Sequence, residues 1–167
     1  MRISDLYMLT HDIDWFCCVE RRYLLHFASN GSILPGLAAD RYLLQRAQQT
    51  AIEMPFTEDV ELQYNRRYIE GLRGLSGFDE NRYLESFRLF ASKGFYSFDF
   101  EWNKREYAGR MDDNIGEYKF IVGPRNSSIP FRTAILMDHL PQVLVRELNE
   151  RDRYMFEGIL DQIRGIE

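Results

Sequence analysis

The stretch Tyr96-Ser97-Phe98-Asp99-Phe100-Glu101-Trp102 alternates an aromatic residue with a small or acidic one. Successive side chains of a β-strand point to opposite faces, so this spacing predicts a strand with one aromatic face and one wet face. Such a strand needs a neighbour and a cover. The neighbour expected is Tyr118 to Val122, reached across the turn-rich Asp112-Asp113-Asn114-Ile115-Gly116.

Immediately upstream the chain spells out a helix. Asp79 can accept the free N–H groups of a first turn, with Phe78 placed to contact Tyr83 from just outside it. Tyr83, Leu84, Phe87, Phe90 and Ala91 form a buried stripe, and Gly94 supplies a left-handed residue past the end with Phe95 closing onto Phe90. A second amphipathic helix is expected from about Ala38 to Glu53, where Leu43, Leu44, Ala47 and Ala51 recur and Pro55 stops the pattern. A third runs from Pro141 nearly to the end through Val143, Leu144, Leu148, Met155, Phe156, Ile159, Leu160 and Ile163; the charged stretch 147–153 either lies on its outer face or splits it.

The first thirty residues suggest strands: a short apolar run from Ile3 to Leu9, then a hairpin of Ile13 to Cys18 and Tyr23 to Ala28 around Glu20-Arg21-Arg22. Another strand is expected to begin near Val60, followed by an irregular stretch through Gly71, Gly74 and Gly77. Strands and helices interleave with no repeat and no composition break. The expected fold is an α+β domain over residues 1–167, a mostly antiparallel sheet of five or six strands packed with about three helices.

Composition agrees with a packed core: of 167 residues 45% are apolar, and twelve Phe, ten Tyr and two Trp supply the aromatics. A formal charge of -5 lowers the expectation of an electrostatically driven nucleic-acid binder. No apolar run approaches the roughly 18 residues of a membrane span, and no signal pattern opens the chain. A cytoplasmic location is therefore expected, with Cys17 and Cys18 as buried thiols, since adjacent residues of a strand point to opposite faces.

The string with most chemistry is Thr10-His11-Asp12-Ile13-Asp14, because an imidazole and two carboxylates at a strand end can ligate a divalent metal or activate a water. It resembles the Thr-His-Asp-x-Asp motif of some polysaccharide deacetylases, whose second histidine pair has no counterpart here. With Asp138 and His139 it defines one functional alternative, a metal-dependent hydrolase. Asp12, Asp14 and His139 would hold the ion while His11 or Asp138 served as acid or base. Asp99, Glu101 and Lys104 superficially suggest a metal-dependent nuclease, but Glu101 and Lys104 are three apart and face opposite ways on a strand. The loop from Gly123 to Ser128 offers a weak anion site at Arg125, Ser127 and Ser128.

No nucleophile elbow, phosphate loop or paired Cys-x-x-Cys occurs, and nothing in the chain names a cofactor. Eighteen Arg stand against three Lys, and Arg next to Tyr in 21–23, 66–68 and 151–154 is the composition of interface centres. The function expected first is a non-enzymatic interaction domain that binds a protein partner or a copy of itself.

Overall fold

In a computed structural model, residues 1–102, 116–125 and 136–166 are described. One six-stranded sheet runs through them: β1 (Asp14–Val19), β2 (Tyr23–Ala28), β3 (Leu62–Tyr64), β4 (Phe95–Trp102), β5 (Gly116–Pro124) and β6 (Gln142–Val143), in the order β3-β5-β4-β2-β1-β6. Among the described residues five complete helices pack with it: α1 (Asp5–Thr10), α2 (Arg41–Glu53), α3 (Arg66–Arg73), α4 (Glu80–Ala91) and α5 (Glu150–Arg164).

The sheet is mixed, a correction to the mostly antiparallel expectation. β2 lies parallel to β4, and β1 parallel to β6, while the β1–β2, β4–β5 and β3–β5 pairs are antiparallel. The physical reason lies in burial. All six residues of β2 are buried, as central strands with both faces covered must be.

Alternate residues feed opposite sides. Trp15, Cys17, Phe27, Phe98 and Phe120 join Phe156, Ile159, Leu160 and Ile163 of α5, together with the fully buried Met8 of α1. On the other face Phe16, Leu24 and Phe95 meet Ala47 and Ala51 of α2 and Phe90 of α4. Ile121 and Val122 there meet Ile69 of α3 with Leu84 and Phe87 of α4. The expected wet face of β4 is therefore covered over its first part, where Ser97 is buried and Asp99 only partly exposed, and wet at Glu101. Fully burying one such Phe contributes about 1.5–3 kcal/mol.

α4 starts and ends as its sequence dictates. The Asp79 carboxylate accepts from the Arg82 N–H at 3.2 Å, the Phe78 and Tyr83 rings sit 5.4 Å apart, and Gly94 has φ +100°. The N-terminal strand expected over Ile3 to Leu9 is instead α1, because the Ser4 hydroxyl accepts from the Tyr7 N–H at 3.3 Å and so caps a turn. The irregular stretch expected around Gly71 is α3, capped by Asn65. The C-terminal helix begins only at Glu150, behind β6 and a 3-10 turn at Val145–Glu147, with Asn149 as its cap. The turn expected at 112–116 lies outside the described residues as far as 115.

Candidate functional sites: a polar row and an exposed apolar patch

Strand register builds a row of polar side chains across one end of the sheet. Asp14 on β1 pairs with Ala28 on β2, Ala28 with Asp99 on β4, and Asp99 with Lys119 on β5. Paired residues share a face, so Asp14, Asp99 and Lys119 stand on the side covered by α4. One row inward, Phe16 pairs with His26 and His26 with Ser97.

The two rows are tied by hydrogen bonds. The Asp14 Oδ1 lies 3.0 Å from His26 Nε2, and the His26 Nδ1 lies 2.9 Å from the Ser97 Oγ. Ser97 also reaches the Phe87 carbonyl of α4 at 3.3 Å. His26 has no exposed surface and is stacked on Phe16 at 4.9 Å and tilted against Phe90 at 4.6 Å, so both ring nitrogens need partners. Carboxylate, imidazole and hydroxyl follow one another as in a nucleophilic triad. Yet Ser97 is enclosed beneath α4, and the string braces three strands rather than presenting an attacking oxygen.

Asp99 is the group with acid–base capacity. Burial pushes its carboxyl up to about 6, the Tyr83 hydroxyl donating at 2.7 Å opposes that, and the charges of Asp12 and Asp14 add to it. Burial also raises the Tyr83 and Tyr68 hydroxyls above their usual range, with Asp99 the first charge acting on each. A carboxyl titrating near neutrality can exchange a proton at physiological pH. Asp12 itself accepts from the Asn30 N–H at 2.8 Å and so closes the turn after β2.

The five residues of the metal-hydrolase alternative are distributed as follows. His11 stacks on Tyr7 at 3.9 Å and its Nδ1 lies 2.9 Å from the Tyr7 carbonyl oxygen. Asp12 and Asp14 hold Asn30 and His26. Asp138 lies beside Cys18, whose thiol burial and that carboxylate push up to about 11, and His139 Nδ1 is 2.8 Å from an Arg46 nitrogen. Asp14 and Cys18 are four residues apart on β1, about 13 Å along a strand. Among the described residues no three His, Cys, Asp or Glu side chains form a group that can hold a metal ion.

Of the weak anion site, Arg125 is paired with Glu61, while Ser127 and Ser128 lie outside the described residues. Lys104 of the nuclease-like set also lies outside them. The base that stands beside Glu101 is Lys119, 3.8 Å from it and 2.6 Å from Glu117.

Sequence reasoning missed the His26–Ser97 brace and the Asp99–Tyr83 pair. A signal was present: His26 is the single titratable residue in the apolar run Leu24 to Ala28, and an imidazole there must find partners.

A different feature stands on the surface. α1 buries Met8 alone and exposes Leu6, Tyr7 and Leu9, with Leu6 at 73%. The first turn of α2 adds Tyr42 at 68% and Leu43. Backbone and charge bonds bring the two together: Ile3 N–H donates to the Ala39 carbonyl at 2.8 Å, Arg41 N–H to the Met1 carbonyl at 3.0 Å, and the Met1 ammonium to Asp40 at 2.9 Å. A surface helix ordinarily turns its apolar side chains inward. Here most point outward.

No protein-family model, curated protein or solved structure matches the chain. Among the described residues no helix is long and apolar enough to cross a membrane.

Proposed function

We propose that the chain is a non-enzymatic protein-interaction domain, working in the cytoplasm, that docks through the apolar surface of α1 and the first turn of α2. The observation that supports this is the inverted burial of α1, with three large apolar side chains in solvent and one in the core. Contiguous exposed apolar surface rimmed by polar groups is characteristic of sites that bind another protein. Arg2, Asp5, His11 and Arg41 supply that rim. The polar row serves the fold, holding β1, β2 and β4 in register behind the docking surface.

The test is site-specific photo-crosslinking in cells, with benzoylphenylalanine replacing Leu6 and, as a control, the exposed Glu85 on α4. One dominant protein adduct is expected from position 6, its yield cut several-fold by Tyr42→Glu. Equal yields from positions 6 and 85 would overturn the proposal.

A further inference from the structure

Beside the apolar patch lies a groove of about 950 Å³ whose floor includes Phe100, Tyr118 and Ile159. Arg2 and Asp40 form part of its near wall, and the same two residues are joined by a β-bridge at the root of the α1–α2 patch. An exposed apolar surface and a concave one thus share an edge.

The far wall is formed by α5 and the start of β5. It carries Asp152, Glu157 and Asp161 against Arg151, with Asp161 3.7 Å from Arg164, a net negative rim; the Glu117 and Lys119 side chains, paired with each other, stand on the opposite face of the sheet. On the exposed apolar surface Arg2 pairs with Asp5 and the Met1 ammonium with Asp40, both at 2.9 Å, so its balance is set by the exposed Arg41. Gly158 lies mid-way along α5 on the groove, and a Cβ placed there meets nothing within 4 Å. Gly158 is exposed, so a side chain placed there extends into the groove.

We propose that the groove receives the Leu6–Leu9–Tyr42 surface of a second copy of the chain, in a two-fold exchange that rests on the docking role given above to that surface. A two-fold interface must be self-complementary, and a knob and a groove that share an edge satisfy that condition when each copy fills the other. Arg41 of one copy then faces the acidic wall of the other, and the space above Gly158 admits the incoming side chains.

Sedimentation velocity from 1 to about 100 µM, a range that brackets micromolar dissociation constants, tests this with two variants. Leu6→Glu spoils the knob and leaves the groove; Gly158→Trp fills the groove and leaves the knob. Wild type is expected to dimerise and each variant alone to lose at least tenfold in association. An equimolar mixture is expected to regain part of it, because one intact knob still meets one intact groove. Tyr42→Glu replaces Leu6→Glu if the latter proves unstable by circular dichroism. A monomeric wild type, a Gly158→Trp dimer as tight as wild type, or a mixture no better than its components each overturns the exchange. A monomeric wild type that still crosslinks from position 6 to a different protein overturns the exchange alone and leaves the docking role standing.

Discussion

Asp14 and His26 are hydrogen-bonded at 3.0 Å although they are not register partners; Asp14 pairs with Ala28, and His26 with Phe16 one row further in. The bond runs diagonally across the β1–β2 hairpin and ends in the buried imidazole, whose other nitrogen holds Ser97 on β4. Asp14→Ala strands the His26 Nε2 in the core. Leaving a buried polar group without its partner costs about 1–3 kcal/mol. Urea unfolding is expected to show that loss, with Asp14→Asn losing less because it keeps an oxygen within reach.

Asp99 links stability to pH. Its carboxyl is raised by burial from an ordinary 3.8 to about 6, so the folded chain binds a proton more tightly than the unfolded one. The stability this contributes is fully present below about pH 4 and is lost as pH rises through about 6. Asp99→Asn removes the charge and keeps an acceptor for Tyr83. By denaturant unfolding the variant is expected to exceed wild type at pH 8 by up to about 3 kcal/mol, the gap closing toward pH 4. A gap that does not change with pH contradicts this assignment.

Gly94 has φ +100°, and a Cβ there makes only ordinary contacts, at 3.8 Å, with Leu24 and Thr57. The penalty of Gly94→Val is therefore one of backbone conformation, about 1 kcal/mol or more. Thermal unfolding gives the sign: the melting temperature falls.

Gly158→Ala is expected to act the other way. Open space surrounds the position, and alanine favours the helix by about 0.5–1 kcal/mol. The substituted chain is expected to melt higher than wild type.

How far the fold is legible depends on the range of the forces that set it. α4 is bounded by contacts within a few residues, Asp79 with Arg82 and Phe78 with Tyr83, and those are written side by side in the chain. The β1–β2 hairpin is legible for the same reason. Ile3 to Leu9 is short and apolar and so predicts a strand, whereas the helical state of α1 depends on a Ser4 cap and on Met8 finding a core contributed by distant strands. α3 hid behind Gly71 and a mostly polar composition; its one fully buried side chain is Ile69.

Strand order is least legible. The β2–β4 pairing joins segments about seventy residues apart, and with it come the His26–Ser97 bond and the burial that raises Asp99. Asp12 and Asp14, by contrast, find their partners Asn30 and His26 within the β1–β2 hairpin and the turn that follows it.

The central claim is that α1 and the first turn of α2 form the docking surface. Amide hydrogen exchange of the peptide spanning residues 4–11 tests it most directly, followed in the isolated, dilute chain and in the complex identified by crosslinking. The account predicts at least tenfold slower exchange of that peptide in the complex, with the peptides of α4 unchanged. Protection confined to α4, with residues 4–11 exchanging as fast as in the isolated chain, contradicts it.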